Sequence, residues 1–264
     1  MGTLDSIKEK INNKIPVIGT GVGINDSSIT ELLCDIGFDF IWIDTEHTPL
    51  DKKDVHFHIM AARGTGTATF VRVAWNDHVL VKPILEMDPS GIIFPFIKTA
   101  SEARKAVSSC LYPPEGIRGF GPRRSIKYGI TDIEKYIESA DSKVWKIMQI
   151  EHIDAVDNLE EILNVDGVDS VVMGPNDLAA SLGYLGKNDH LEVKKVMDIA
   201  AKKIVKSGKP FGTAIEYDPK TIKEWVERGV NYIEIGVDVS FLLQAGIQAF
   251  KETKKIFMER RANK

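Results

Sequence analysis

The sequence predicts a (β/α)8 TIM barrel, and three observations support this fold class. Short apolar runs rich in β-branched and aromatic residues recur eight times, and segments with helical periodicity separate them. This alternation is typical of parallel strands that crossover helices cover on both faces. The chain of 264 residues, 43% of them hydrophobic, is long enough for one large α/β barrel. Because no flexible linker or block of like charge divides it, we expect residues 1–264 to form a single domain.

The predicted strands indicate where functional residues should lie. They are residues 17–22, 40–44, 67–73, 91–97, 144–150, 167–173, 210–215 and 232–237. Polar capping residues predict helix starts near Asp26, Asp77, Ser101 and Asp238. Since the active site of such a barrel lies at the carboxyl ends of its strands, the residues that end each strand are the functional candidates.

Composition narrows the possible partners. A net charge of -4 and a pI near 5.9 give no basic surface for nucleic acid or anionic lipid. Cys34 and Cys110, the two cysteines, lack the paired spacing of zinc sites. The sequence has neither a signal-peptide pattern nor an apolar run that could span a bilayer. We therefore expect a cytoplasmic protein that acts on small molecules, with no nucleic-acid or membrane partner.

Ionisable side chains cluster after the second and third predicted strands. Asp44, Glu46 and His47 follow the second strand within four residues, which favours acid/base chemistry. Arg72 lies on the third strand, and alternation places it on the same side as Phe70, toward the barrel axis. An arginine buried there needs an anionic partner. Of the two possibilities, a ligand carboxylate or enolate is favoured over a protein carboxylate.

Two acids end the fifth and sixth predicted strands. Glu151 ends the fifth strand, and Asp177 follows the sixth after a Gly-Pro turn. Hard oxygen ligands from neighbouring strands, without cysteine, suit Mg²⁺ or Mn²⁺ better than structural zinc. The alternative is that Asp177 caps a helix while Glu151 forms a salt bridge. Lys146 points to the other side of the fifth strand, so it is a poor candidate for a Schiff-base lysine.

Three further motifs leave alternatives open. The glycines of residues 19–23 mimic a dinucleotide fingerprint, but their spacing is not G-x-G-x-x-G. Residues 236–240, together with Gly212, resemble a phosphate cradle and support a rival sugar-phosphate isomerase or epimerase. Residues 112–124, rich in Gly, Pro and Arg, form either a functional lid or a surface excursion with solvated arginines.

Five segments together carry a resemblance to a known family. They are residues 37–47 (GFDFIWIDTEH), 71–77 (VRVAWND), 112–119 (YPPEGIRG), 149–151 (QIE) and 174–178 (GPNDL). Through them, from about residue 19 to residue 243, the chain resembles the HpcH/HpaI aldolases, which are metal-dependent pyruvate aldolases. The resemblance implies reversible aldol cleavage of a 4-hydroxy-2-oxo acid to pyruvate and an aldehyde. It also implies a divalent cation, Mg²⁺, Mn²⁺ or Co²⁺, as cofactor.

The resemblance assigns a role to each matching residue. Glu151 and Asp177 would hold the metal, Arg72 would contact the pyruvyl oxygen, and His47 would be the acid/base. Gln149 and the backbone around Gly174 and Asn176 would help to bind the pyruvate carboxylate. Asp44 and Glu46 would contact the residues that bind substrate, without touching substrate themselves.

The resemblance also implies an assembly. Family members are typically hexamers whose last helix packs on a neighbouring subunit, so residues 241–250 are expected at a subunit interface. Glu86 aligns with a family aspartate that assists the histidine from an adjacent subunit, and is expected to take that catalytic role. Asp88 replaces a small glycine of the family.

Three competing functions remain at this stage. One is a CoA-dependent lyase of the citrate-lyase type, and another is the phosphate-binding isomerase. The third is a ligand-binding descendant without catalytic activity, which the presence of the acids, the arginine and the histidine disfavours.

Overall fold

The predicted barrel is confirmed by the computed structural model of the chain, which describes residues 3–262. Eight parallel strands pair in chain order, and β8 pairs back with β1 to close the barrel. The strands are β1 Val17–Val22, β2 Phe40–Asp44, β3 Ala68–Arg72, β4 Gly91–Phe94, β5 Trp145–Ile150, β6 Ser170–Met173, β7 Phe211–Ile215 and β8 Tyr232–Val237. The helices are α1 Thr3–Asn12, α2 Ser28–Ile36, α3 Lys52–Ala61, α4 His78–Leu85, α5 Ala100–Cys110, α6 Ile133–Ser139, α7 Ile153–Asp157, α8 Leu159–Leu163, α9 Pro175–Ser181, α10 Leu191–Ser207, α11 Pro219–Glu227 and α12 Asp238–Ala262.

Two strands, β4 and β6, are three residues shorter than predicted, each for a local reason. β4 stops at Phe94 because Phe96 turns into the left-handed region, with φ of 52°. β6 starts at Ser170 because Gly167 turns at φ of 86°, and because the Asp169 carboxylate accepts the backbone N–H of Lys146 at 2.9 Å.

Helix capping follows the sequence in part. Asp77 caps α4 by accepting the N–H of Val79 at 2.8 Å, and Asp238 starts α12. A helix starts near Ser101 as predicted, but its capping residue is Thr99, which forms a capping box with Glu102. Ser27 stands at the start of α2 without a side-chain capping bond.

An aromatic layer fills the lower half of the barrel. Phe40, Phe70, Trp145 and Tyr232 are buried, and their rings lie 5.1–6.3 Å apart between centroids. Leu4 and Ile7 of α1 are buried in the same cluster, so α1 closes the amino-terminal end of the barrel. The amino-terminal end of the barrel is therefore closed by apolar side chains, and the polar residues lie at the opposite end, where the strands end.

The arginine-rich loop lies at the amino-terminal end of the barrel. It follows α5, and Arg124 donates to the carbonyl of Ile59 at the end of α3 at 3.2 Å. Arg118 has 2% of its side chain exposed, and it contacts Glu86 and Tyr136 and stacks on Tyr112 at 4.5 Å. The surface reading with solvated arginines is therefore wrong for these two residues. The loop also cannot be a lid over the active site of its own chain, because that site lies at the carboxyl ends of the strands, at the opposite end of the barrel.

The last helix extends away from the barrel. All residues from 242 to 260 are exposed. Among them are Leu243, Ile247, Phe250 and Phe257, which recur at helical spacing on one face. Within residues 3–262, no helix combines the length and apolar character needed to cross a membrane.

Candidate active site

Arg72 joins the ends of two neighbouring strands. Asp44 and Arg72 are register partners on β2 and β3. The guanidinium donates from Nε to Oδ1 of Asp44 at 2.9 Å and from Nη2 to Oδ2 at 2.7 Å. Burial alone would raise the pKa of Asp44, but the hydrogen bonds and charge of Arg72 hold it below its usual value. Asp44 is therefore an ionised anchor for Arg72.

Glu46 and His47 complete this corner of the site. Nη1 of Arg72 lies 3.0 Å from Oε2 of Glu46, and the Arg72 guanidinium lies 5.5 Å from the ring centre of Trp42. The preference for a ligand as the anionic partner of Arg72 is thus corrected, because two protein carboxylates already pair with it. His47 lies 3.8 Å from Oε2 of Glu46 with 60% of its side chain exposed, so its imidazole is at the mouth of the barrel.

Glu151 is the most deeply buried of the acids that were predicted at the strand ends. It is 1% exposed, and the backbone N–H of Phe96 donates to its Oε1 at 2.8 Å. The Gln149 side-chain amide donates to Oε2. Burial, with smaller contributions from the charges of Glu46 and Asp177, raises the pKa of Glu151 to about 7 against the lowering effects of the Phe96 N–H and Arg72. Glu151 is thus a buried carboxyl group that its neighbours do not keep fully ionised.

Gly174 brings the end of β6 against Glu151. A Cβ at Gly174 would lie 2.6 Å from Oε2 of Glu151, so a side chain there would collide with the carboxyl. Gly174 is also the residue that precedes α9, and Asp177 is the third residue of that helix. The alternative of Asp177 as the helix N-cap is therefore wrong. Its charge instead acts on Glu151 and Glu46, whose pKa values it raises.

The donor set fits a divalent cation. Burial raises the pKa of both Glu46 and Glu151, and the charge of Asp177 adds to this at both carboxyls. A cation between Glu151 and Asp177 would relieve that repulsion. Oε1 of Gln149 is buried and has no hydrogen-bond partner. Among the described side chains, no three His, Cys, Asp or Glu residues gather closely enough to hold a metal by themselves. A cation here would need water or substrate oxygens in addition to Glu151 and Asp177.

Two predicted site residues have side chains that contact groups outside this cluster. The Asn176 side chain accepts a hydrogen bond from Asn188 at 2.8 Å, so its backbone is the part left for the role that the resemblance implies. Glu86 follows α4 and lies 3.4 Å from Arg118, beside the arginine-rich loop. Asp88, two residues later, adopts φ of 63°, a conformation that glycine favours and that explains the glycine of the family.

The proposed phosphate cradle already holds a carboxylate. Asp238 accepts from the backbone N–H groups of Gly23, Ile24 and Val239 at 2.8–3.1 Å. Val239 belongs to the predicted cradle, and Val237, also within it, donates its N–H to the Ser240 hydroxyl at 3.0 Å, so these two donors are not free for a phosphate. The glycines of β1 serve close packing, since a Cβ at Gly19 would lie 2.4 Å from the Phe40 ring. The structure therefore argues against the isomerase reading.

Sequence reasoning missed two residues of the site. Glu234 lies on β8 above Tyr232 and lines a cavity together with Arg72 and His47. Its period-two position on an otherwise apolar strand was the signal that could have revealed it. Phe96 contributes its N–H through a left-handed backbone, and nothing in the local sequence indicates that conformation.

Comparison with known proteins decides the family. The sequence profile described as HpcH/HpaI aldolase/citrate lyase matches residues 22–245. The chain belongs to the HpcH/HpaI family. It is 35% identical over 241 residues to the 4-hydroxy-2-oxo-heptane-1,7-dioate aldolase of Shigella sonnei, covering 91% of this chain and 92% of that protein. It is 32% identical over 243 residues to the hydroxypyruvate/pyruvate aldolase of Roseobacter denitrificans, covering 92% of this chain and 94% of that protein.

The three-dimensional comparison agrees with the sequence. The crystal structure of an HpcH/HpaI aldolase/citrate lyase family protein from Burkholderia cenocepacia superposes with a TM-score of 0.87 at 31% identity, covering 94% of this chain and 99% of that one. As an HpcH/HpaI member whose relatives are aldolases, this protein is a carbon–carbon lyase.

Proposed function

We propose that this HpcH/HpaI protein catalyses the reversible, divalent-metal-dependent cleavage of a 4-hydroxy-2-oxo acid to pyruvate and an aldehyde. The observation that carries the proposal is the carboxyl of Glu151, which is buried at the end of β5 beside Gly174 and within the electrostatic reach of Asp177. Burial raises its pKa to about 7, and the charge of Asp177 contributes to this. Glu151 and Asp177 would hold Mg²⁺, Mn²⁺ or Co²⁺, with water and substrate completing the coordination. When bound, the cation supplies a Lewis acid for the carboxylate and keto oxygens of the substrate.

Arg72 would stabilise the negative charge that develops on the keto oxygen. The guanidinium has five N–H donors, and three of its contacts go to Asp44 and Glu46. Two donors therefore remain for substrate, on a side chain that two carboxylates hold in place. A fixed donor aimed at developing charge lowers the barrier more than a mobile one.

His47 would move the proton at the C4 hydroxyl. In cleavage, the C3–C4 bond breaks, its electron pair stays on the pyruvate fragment, and the hydroxyl proton passes to His47 as the aldehyde forms. The exposed position of the imidazole at the barrel mouth lets it reach substrate directly or through one water. The Gln149 amide, fixed to Glu151, and the backbone at Gly174 and Asn176 would position the pyruvate carboxylate.

We also propose that the protein forms a homo-oligomer, and the resemblance to the family indicates a hexamer. The apolar face of α12 at Leu243, Ile247, Phe250 and Phe257 is exposed in a single chain. A second copy that covers this face would remove it from water. The position of Glu86 at the opposite end from His47 is compatible with its acting on a neighbouring subunit's site.

Chelation and one substitution test the proposed reaction. Pyruvate release from a 4-hydroxy-2-oxo acid should stop after rigorous treatment with EDTA and return with Mg²⁺, Mn²⁺ or Co²⁺. His47→Ala should lower kcat by roughly 10²–10⁴-fold while Mn²⁺ affinity is unchanged. His78→Ala is the matched control, since His78 is also about half exposed but starts α4 outside the site. Undiminished turnover after metal removal would refute the metal-dependent reaction.

A further inference from the structure

Glu234 presents a carboxyl inside the barrel, one layer above the aromatic floor. It is 5% exposed on β8, and its neighbours along the strand on the same side are Tyr232 and Gly236. Its register partner on β7 is Ala214, which leaves room beside it. A Cβ at Gly21 would lie 2.7 Å from Oε1 of Glu234, so the carboxyl rests directly against the backbone of β1.

This carboxyl faces a cavity that continues from the site described above. The cavity has a volume of about 280 Å³, and its lining includes Trp42, His47, Arg72, Glu234 and Val237. Glu151 follows β5, which lies opposite β1 in the closed barrel, and Glu234 lies on β8, the neighbour of β1. With the keto acid end of a substrate at Glu151 and its keto oxygen at Arg72, this arrangement would leave the aldehyde end toward the cavity at Glu234.

The charges around this cavity favour neutral ligands over anionic ones. Arg72 is the only arginine or lysine among the described residues that line it, and Asp44 and Glu46 already pair with Arg72. The Asp238 carboxylate on the same wall is satisfied by three backbone N–H groups. A carboxylate at the far end of a substrate would meet acids and find no free cation.

Glu234 can both donate and accept a hydrogen bond here. Burial raises its pKa well above the usual value, against the lowering effect of Arg72, and the charge of Glu216 raises it further. A protonated carboxyl offers an O–H donor and a carbonyl acceptor, which matches a hydroxyl group.

We propose that Glu234 determines specificity for the aldehyde by hydrogen-bonding a hydroxyl of a neutral, short hydroxyaldehyde and by disfavouring aldehydes that end in a carboxylate. This inference rests on the proposed aldol reaction. It separates this protein from the relative named for heptane-1,7-dioate, a substrate with a second carboxylate. The expected substrates of cleavage are therefore 4-hydroxy-2-oxo acids that carry a further hydroxyl and no distal carboxylate.

Three aldehydes of similar length test the assignment in the direction of synthesis with pyruvate and Mn²⁺. They are D-glyceraldehyde, with hydroxyls, propanal, without them, and succinic semialdehyde, with a carboxylate. The wild-type kcat/KM should be at least about tenfold higher for D-glyceraldehyde than for either of the others. Glu234→Ala should lower the D-glyceraldehyde value about tenfold or more, and leave propanal within about threefold.

Two further variants separate a substrate contact from a structural role. Glu234→Gln keeps a donor and an acceptor, so it should retain D-glyceraldehyde activity within about fivefold. Glu224→Gln, on α11 beside Lys194, is the matched control and should leave all three aldehydes unchanged. A crystal structure with pyruvate and D-glyceraldehyde should place a hydroxyl of the aldehyde within hydrogen-bond distance of Glu234.

The outcomes distinguish this inference from the proposed reaction. Exchange of the pyruvate methyl protons in D₂O with Mn²⁺ reports the pyruvate half of the reaction without any aldehyde. If exchange occurs but succinic semialdehyde is preferred, or if Glu234→Ala affects all three aldehydes equally, the role of Glu234 is refuted and the reaction stands. Absence of both exchange and aldol addition refutes the reaction itself.

Discussion

Arg72 is the residue on which the geometry of the strand ends depends. It holds Asp44 and Glu46 with one planar group and lies over Trp42. Alternation along the third predicted strand was sufficient to place it inside the barrel, and the cluster around Asp44 was visible as three ionisable residues within four positions. The identity of its partners was not predictable, because protein and ligand carboxylates satisfy a buried arginine equally well.

Replacing this arginine with lysine should separate charge from geometry. In Arg72→Lys the charge remains, but one ammonium cannot bind both oxygens of Asp44 and also reach Glu46. We expect kcat/KM to fall by roughly 10²–10³-fold, as for loss of a fixed oxyanion donor. Arg228→Lys is the matched control, since Arg228 also contacts two carboxylates, Asp198 and Glu224, and stacks on Trp225. Equal losses in the two variants would remove Arg72 from the mechanism.

The protonation of Glu151 gives metal binding a predictable pH dependence. Its folded pKa of about 7 lies above the ordinary 4.5, so the metal-free folded protein favours the protonated form. Protonation of Glu151 therefore contributes to the free energy of unfolding of the metal-free protein. This contribution is complete below about pH 4.5 and is lost as the pH rises through about 7. A cation needs the ionised carboxylate, so Mn²⁺ affinity should rise about tenfold per pH unit up to about pH 7 and then level off.

Calorimetry in buffers of different ionisation enthalpy measures this effect. Mn²⁺ binding should release close to one proton at about pH 6 and almost none at about pH 8.5. An affinity that does not change with pH across this range would show that Glu151 does not ligate the cation.

At the level of elements, the strands were predictable and the loops were not. β1, β2 and β8 have the bounds that their apolar runs predict, because strand periodicity is a local property. The early end of β4 depends on Phe96, whose left-handed turn serves a bond to Glu151 that lies 55 residues away in sequence. The position of the arginine-rich loop was likewise not predictable. Its content of Gly, Pro and Arg indicates a loop, but not the end of the barrel at which the loop lies.

The exposed helix α12 provides a test of assembly. Phe250→Glu places a charge in the apolar face, and should shift the molar mass measured by light scattering toward the monomer. Glu252→Lys changes an exposed charge on the opposite side of the helix, and should leave the mass unchanged. If both variants keep the wild-type mass, or if the wild type is already a monomer, the apolar face of α12 does not mediate assembly.

For the whole molecule, the two ends of the barrel have different tasks. α1 and the aromatic layer close the amino-terminal end, and the acids, Arg72 and His47 are collected at the other end. The sequence predicted where the polar residues collect, because closing eight parallel strands in chain order brings the strand ends together. It did not predict that α1 closes the other end. It also did not predict Glu234, whose only signal is its period-two position on an otherwise apolar strand, with no motif around it. The candidate site was thus predictable where several polar residues coincide, and not where one residue acts alone.

The most direct test of the account is anomalous diffraction from a crystal grown with Mn²⁺ and pyruvate. We expect one strong peak between Glu151 and Asp177, with a carboxylate oxygen of each at about 2.2 Å and pyruvate completing the coordination beside Arg72. Manganese bound elsewhere, or the two carboxylates turned apart with no ion between them, would contradict the account.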